Sequence, residues 1–423
     1  MPVNSSSDSR TAAALILARV DAHQAHAARL LRQATPLTRA LVLTTLRWQL
    51  TADSLLQPHL QRPLEHLDAP VRACLRMGTV EAFKLDTPVP VAVAEAVRVC
   101  KIFKPQAAGL VNACLRRAIQ GTWPKEDDES IPLWLRYSHP QWLLNRWASR
   151  MPAHLLRQTL AADQLEAPIY LLEAVSRLAV PTRPHPWVPG VVMVEDSGKE
   201  AAAQLTQGRA YAMDPHAVLV ARLLPKSPKI LEMAAAPGGK SLVLGLEQPD
   251  SLRLALDLRL GRARLLAKTV RLLSRPPHVL VADGRKPPLR SQSFDAVLLD
   301  APCSGTGTLR RHPEIRWRLQ PAHLQKLASL QRALLQAAVA LTAPGGFVCY
   351  ATCSLEPEEN EQVVQALALP TVPLADKLPA ASSFIELPSG GALLPPGPWG
   401  DGFVIHLLGP LTVTYGEKKR KLV

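Results

Sequence analysis

Cys303 in LLDAPCSGTG and Cys353 in FVCYATCSLEPEEN each follow an apolar run that ends in small, proline or polar residues. Such runs read as buried parallel strands, and the break in pattern marks the change from strand to loop. In an open α/β sheet, ligands bind outside the carboxyl ends of the strands. Neighbouring strands would put the two cysteines roughly 5–10 Å apart, at about 4.8 Å between strands. Asp300 closes the first run, so two thiols and a carboxylate share one crevice. That set suits covalent chemistry, in which a thiolate attacks and a carboxylate manages a proton. The other four cysteines, Cys74, Cys100, Cys114 and Cys349, lie inside apolar helix or strand patterns. They read as small packing side chains.

The element that must position a second reactant lies upstream. An apolar run, Lys229–Met233, passes into Ala234, Ala235, Ala236, Pro237, Gly238, Gly239 and Lys240. A small-residue turn between a strand and a helix lets backbone N–H groups approach a ligand closely. The next strand ends at Asp257, where an acidic residue about 20 positions past the glycines commonly holds ribose hydroxyls. A third strand ends at Asp283, placed to receive an adenine amino group, and a fourth at Asp300. Polar groups at four successive strand ends indicate an adenosine-containing cofactor. The loop is neither GxGxxG nor a phosphate-binding P-loop, which favours S-adenosylmethionine over NAD. With a methyl donor beside two thiols, one chemistry stands out. A thiolate that adds to C6 of cytosine makes C5 nucleophilic toward a sulfonium methyl group. The reaction also needs an acid at N3 or N4 of the base and a group for the elimination. Asp300, Cys303 and Cys353 can supply these. Lys240, the strand-end loops or nearby helix N-termini could lower a thiol from its ordinary pKa of about 8.5.

The bulk composition agrees. The 423 residues carry a formal charge of +14, which favours a polyanionic partner. Aromatic residues are only 4 %, too few for an extended base-stacking platform. Six irregularly spaced cysteines form no disulfide framework, and without a CxxC pair no metal is expected. The N-terminus MPVNSSSDSR lacks an apolar signal core, and the longest uncharged stretch, Ala333 to Leu355, is broken by Pro344, Gly345 and Gly346. No membrane association and a cytoplasmic location are the expectation.

Three segments follow from the periodicity. Residues 1–9 are polar, and residues 1–125 read as an all-α domain with helices near 10–31, 36–56, 70–85, 90–103 and 105–119. This domain holds 16 Lys and Arg against 8 Asp and Glu, a net +8. Residues 126–205 form a connecting subdomain, with a helix after Pro140 and proline-rich spacers from Pro181 to Pro189. Residues 206–423 alternate strands, at 229–233, 252–258, 278–282, 294–299 and 346–352, with helices at 259–273 and 322–341. Two more strands, 383–387 and 402–408, follow. This alternation means a mostly parallel, doubly wound α/β sheet. The terminal GEKKRKLV reads as a solvated basic end.

The catalytic half, about residues 205–410, resembles the RNA 5-methylcytosine methyltransferases of the Sun family. The resemblance rests on Met213-Asp214-Pro215, ILEMAAAPGGKS, LDAPCSGTGTLRRHPEIRWR, YATCSLEPEENE and DGFVIHL. The helical half is similar to NusB-type RNA-binding domains through VRACLRMGTVEAFKL, VPVAVAEAVRVCK and GLVNACLRRAI. Fusion of the two resembles the RsmB-type enzymes. The resemblance implies a Rossmann-like class I methyltransferase domain with a mostly parallel seven-stranded sheet, and small-subunit rRNA as the partner. Cys353 would be the nucleophile, Cys303 would assist product release, and Asp300 would contact the target cytosine and lie beside the cofactor. Residues 234–240, Asp257 and Asp283 would hold S-adenosylmethionine, with Lys240 between cofactor and active site. A monomer is expected. The sequence departs from the family at Ala234, usually cysteine, at Glu232, usually aspartate, and before Asp214, where a glutamine is missing. Arg310, Arg311, His312, Arg316 and Arg318 form a basic cluster expected to grip phosphates. Two rival readings remain: a DNA cytosine-C5 methyltransferase with Cys303 as nucleophile, and a non-catalytic RNA-binding or assembly factor.

Overall fold

The computed structural model describes residues 8–411 except 24, 174–180, 196–204, 206, 207, 209 and 381. The basic end GEKKRKLV and residues 1–7 of the polar start lie outside the described residues. The chain divides into two compact units: residues 1–166 with 309–319, and residues 167–308 with 320–423.

The first unit is helical. Its principal helices are α1 (Ser9–His23), α2 (Pro36–Arg47), α3 (Gln49–Leu56), α4 (Ala69–Lys84), α5 (Val89–Phe103) and α6 (Ala108–Ala118), followed by α7 (Gln141–Ala148) and α8 (Ala153–Ala162). Several starts are written in the sequence. Thr35 caps α2, its hydroxyl accepting from Thr38 N at 3.2 Å, and Pro36 takes the first helical position, where a missing N–H costs nothing. Helix α4 runs through the centre, and Val71, Cys74, Leu75 and Met77 are buried along it. Gly78 permits its close packing: a Cβ there would stand 2.9 Å from both Ala96 Cβ and Leu115 Cδ1. Ion pairs fasten the same helix outward, Arg76 to Asp53 at 2.7 Å and to Asp21 at 3.3 Å. Cys74, Cys100 and Cys114 are buried in this core, as their apolar surroundings required.

Residues 309–319 complete the first unit, although they follow the Cys303 loop in sequence. Arg316 is buried, and its guanidinium donates to the carbonyls of Arg47 (3.4 Å), Ser138 (3.0 Å) and Asp163 (3.3 Å). The Trp317 indole N–H donates to Leu46 O at 2.7 Å. Burial pulls Arg316 down to about 10, which leaves it charged at neutral pH. Three helix-end and loop carbonyls thus share one buried cation. Replacing it with methionine leaves all three without that donor. The expected cost is about 3 kcal/mol, since unpaired buried groups cost 1–3 kcal/mol each and partial repacking offsets some of it. Calorimetry would read it as a lower melting temperature for the helical unit.

The second unit contains two sheets. A small antiparallel sheet, order β2-β3-β1-β4, is built from β1 (Tyr170–Glu173), β2 (Thr182–Pro184), β3 (Val191–Val194) and β4 (Ala210–Ala212). The large sheet contains β5 (Lys229–Met233), β6 (Leu252–Asp257), β7 (His278–Val281), β8 (Phe294–Asp300), β9 (Thr342–Thr352), β10 (Thr371–Val372), β11 (Ile385–Glu386), β12 (Ala392–Leu394) and β13 (Phe403–Leu408). Its order is β11-β12-β13-β9-β8-β5-β6-β7, with β10 also on β13. Strands β7, β6, β5, β8 and β9 are mutually parallel, and β13 enters antiparallel beside β9. Among the described residues the sheet therefore has nine strands where seven were expected, and two of them, β10 and β11, have only two residues each. Helices α9 (Pro215–Arg222), α10 (Gly239–Glu247), α11 (Leu260–Val270) and α12 (Pro321–Leu341) flank the sheet.

Central strands β8 and β9 are covered on both faces, which explains their unbroken apolar runs. Ala296, Leu298, Cys349 and Ala351 face one core, and Val297, Leu299, Val348 and Tyr350 face the other. Truncating Leu299, which is fully buried, would cost about 2–5 kcal/mol. These paired cores pack both faces of the strands whose ends carry the site.

Candidate active site

Strands β8 and β9 are in parallel register, with Asp300 opposite Ala351. Their loops therefore start side by side. Cys303 Sγ and Cys353 Sγ lie 3.4 Å apart. Main-chain bonds hold the loops: Ala301 N donates to Ala351 O (2.9 Å), Gly307 N to Cys353 O (2.9 Å) and Gly402 N to Gly307 O (2.7 Å). Only glycine fits at 307, where a Cβ would meet Gly402 O at 2.4 Å. Asp300, Cys303 and Cys353 are partly exposed above a fully buried floor that includes Cys349 and Tyr350.

The hydrogen bond with Cys353 raises the Cys303 thiol well above its ordinary value of 9.0. Burial and the negative charges of Cys353, Glu359 and Asp300 add to the rise. The Cys303 thiol therefore holds its proton at neutral pH. Cys349 is pushed up to about 12 by burial and is inert.

Lys240, in the first turn of α10, reaches Asp300 Oδ2 at 2.7 Å. Its ammonium also stands 5.1 Å from the Phe403 ring centroid, a cation–π distance. The loop before α10 bends through Ala234 (φ +55°) and Gly238 (φ +106°). A Cβ at Gly238 would meet Leu266 Cδ1 at 2.9 Å. Ala235 N donates to Leu256 O at 2.9 Å, and Ala236 N to Asp257 Oδ2 at 3.3 Å. Asp257 also accepts from Arg259 N at Oδ1 (3.1 Å) and from Arg262 Nε at Oδ2 (3.1 Å). Arg262 donates in addition to Ala236 O. The loop 234–238 and the end of β6 are thus one braced unit, and Asp257 Oδ1 keeps acceptor capacity for a hydroxyl.

Asp283 is arranged differently. Both its oxygens are engaged by Arg285: the main-chain N and Nε on Oδ1, and Nε and Nη2 on Oδ2. These bonds lower its carboxyl to about 2. Asp283 can receive an amino group only by exchanging it for part of this set. Glu232, the acidic side chain that departs from the family pattern, is buried beneath the loop. It accepts from Ser241 Oγ at 2.6 Å, and burial raises it to about 7.

One expectation is corrected. Arg310 and Arg316 are buried in the helical unit, and Arg318 Nη1 bonds His26 Nδ1 at 2.8 Å. Arg310 and Arg316 therefore cannot grip phosphates. A run of arginines reads alike whether it meets phosphate or the carbonyl ends of helices.

A polar network behind the cysteines went unread in the sequence. Glu356, Glu359 and Asn360 are fully buried, and Glu359 accepts from Ser304 N (2.9 Å) and Gln331 Nε2 (3.0 Å) at Oε1. The Ser304 and Ser354 hydroxyls donate to its Oε2. Asn360 donates to Ser354 O at 2.9 Å and Glu356 O at 2.8 Å, and accepts from Thr352 Oγ1 at 2.7 Å. Among the described residues, no group of three or more His, Cys, Asp or Glu could hold a metal ion, and no helix is long and apolar enough to cross a membrane.

Comparison with known proteins agrees with this geometry. Residues 221–405 match the family model for 16S rRNA methyltransferase RsmB/F, and residues 6–120 match the NusB family. Ribosomal RNA small subunit methyltransferase B of Pseudomonas putida is 31 % identical over 387 residues, spanning 87 % of this chain and 88 % of that protein. The protein of the same name from Pseudomonas syringae pv. tomato is 31 % identical over 397 residues, 87 % of each. Among solved structures, that of PH0851 has a TM-score of 0.75 at 23 % identity, covering 95 % of this chain and 99 % of the other. A methyltransferase homologue from Pyrococcus horikoshii has a TM-score of 0.53 at 22 % identity, covering 65 % and 97 %. Two thiols at adjacent strand ends, a lysine-paired aspartate, a braced glycine loop and these relatives together place the chain in the RsmB/F family of 16S rRNA methyltransferases, with a NusB-family domain at its N-terminus.

Proposed function

We propose that this protein transfers a methyl group from S-adenosylmethionine to C5 of a cytosine in small-subunit rRNA, through a transient bond between Cys353 and C6. The observation that carries this reading is the 3.4 Å pairing of Cys353 with a thiol that holds its proton, at the strand end that also bears Asp300. When bound, S-adenosylmethionine supplies an electrophilic methyl on a sulfonium centre. The residues present fit it: loop 234–240 and Asp257 form a braced polar cradle, and Asp257 Oδ1, which accepts from Arg259 N, keeps a lone pair for a ribose hydroxyl.

The chain's own groups carry the rest. Cys303 donates its S–H toward Cys353, which stabilises the Cys353 thiolate before attack. Asp300, oriented by Lys240, faces N3 and N4 of the flipped base and supplies or accepts the proton there. C5 then takes the methyl group and loses its proton to water. The Cys353–C6 bond breaks, with Cys303 again donating to the departing sulfur. Extruding the base from a helix costs a few kcal/mol. Residues 1–125, with their net +8, serve as the RNA-binding domain that offsets it. All named groups come from one chain, so a monomer suffices.

Bisulfite mapping of 16S rRNA tests the reading. Cells with the protein should show one protected cytosine that becomes convertible when the protein is removed. An unchanged pattern would contradict it. The DNA reading has a specific weak point: it needs Cys303 as the thiolate, and the hydrogen bond with Cys353, burial and the negative charges of Cys353, Glu359 and Asp300 all raise that thiol.

A further inference from the structure

We propose that Glu359 is a positioning residue for methyl transfer. Its buried carboxylate clamps Ser304 and Ser354, and through them sets the neighbouring Cys303 and Cys353 against each other. This rests on the two-cysteine reading above.

The clamp is visible in the hydrogen-bond count. Ser304 follows Cys303 and Ser354 follows Cys353, on separate loops. Each serine has one hydroxyl proton, and both protons go to Glu359 Oε2. The two hydroxyl oxygens are 3.0 Å apart. Oε1 accepts from Ser304 N and Gln331 Nε2, and Gln331, on α12, also donates to Pro302 O at 2.9 Å. Residues 302 and 304 are thereby pinned on both sides of Cys303. Glu359 itself is fixed by its own carbonyl, which accepts from Tyr350 OH. Burial raises the Glu359 carboxyl, and the four donors from Ser304, Ser354 and Gln331 that converge on it oppose that rise and favour the ionised form. Loops at strand ends are otherwise free to shift, and a displacement of an ångström between reacting groups costs on the order of a hundredfold in rate.

The charge has a second effect. Cys303 faces Cys353, Glu359 and Asp300, with Tyr350 beneath and Lys240 on Asp300. Glu356, Glu358 and Glu361 flank Glu359 along the chain. An anion at Glu359 holds the proton on Cys303. Removing that anion lets Cys303 ionise at lower pH, after which it repels the Cys353 thiolate.

The test compares Glu359→Gln and Glu359→Asp in the full-length chain, with kcat measured against pH, S-adenosylmethionine affinity, and covalent capture on RNA containing 5-fluorocytidine. In Glu359→Gln, kcat should fall about a hundredfold, the alkaline limb should move to lower pH, and cofactor affinity should stay within about twofold. Glu359→Asp retains the charge on a shorter arm, so kcat should fall while the alkaline limb stays at the wild-type pH. If Glu359→Gln does not fold, the aspartate variant decides alone. Wild-type kcat in either folded variant, or a fall in kcat with both limbs unmoved in Glu359→Gln, overturns the clamp. Absence of capture by the wild-type protein would instead sink the two-cysteine reading, whereas wild-type capture with equal capture by Glu359→Gln sinks only the clamp.

Discussion

Cys353→Ala should abolish methyl transfer, with kcat reduced by about 10⁴ or more, the scale of removing the nucleophile from a covalent enzyme. Without the sulfur, C6 receives no electron pair and C5 stays unreactive toward the methyl group. Cys303 sits on the other loop, after β8, and Cys349 is buried with its thiol pushed up to about 12. Cofactor affinity should be unchanged, because loop 234–240 is braced by Asp257, Arg262 and Lys240 rather than by Cys353. Isothermal titration with S-adenosylmethionine and a radiolabelled methyl-transfer assay separate the two effects.

The second large effect is expected from Cys303→Ala. This variant retains the nucleophile and loses the proton donor 3.4 Å from it. Attack slows without that donor yet methylation still proceeds, and expulsion of the Cys353 sulfur slows more, since a positioned acid or base is worth about 10²–10⁴ in rate. Protein should therefore accumulate on RNA as a complex that survives denaturing electrophoresis, and only when cofactor is present. Turnover should drop by about a thousandfold while a single-turnover methylation remains detectable. If Cys303→Ala were simply inactive and Cys353→Ala formed the stable complex, the roles would be exchanged and the DNA-type assignment would stand.

The parts of this site that could be read in advance share one physical property: their signal is local. Strands β5, β6, β8 and β9 announce themselves as apolar runs because both faces are buried, and the residue where each run stops marks the sheet edge. Asp257, Asp300, Cys303 and Cys353 were placed that way, and the register of Asp300 with Ala351 joins them. Helix starts at Pro36 and Pro70 were legible for the same reason. The small sheet β1–β4 was not, because strands of three or four residues among prolines carry too little alternation. Arg316 was misread because its partners, three carbonyls from residues 47, 138 and 163, are far away in sequence. The pairing of Asp283 with Arg285 is local, but nothing in the residue types says whether such a pair forms or a ligand takes its place. Glu359 escaped notice because an EPEENE run has the composition of a solvated surface, while two of its acids are fully buried.

The central claim is a bond between one named sulfur and a pyrimidine ring. The direct measurement is mass spectrometry of peptides cross-linked to 16S rRNA fragments carrying 5-fluorocytidine, in which fluorine at C5 blocks the final proton loss. The nucleotide adduct is expected on the peptide containing Cys353, with the methyl group already added at C5. An adduct on the Cys303 peptide, or methylated product released without any adduct, would contradict it.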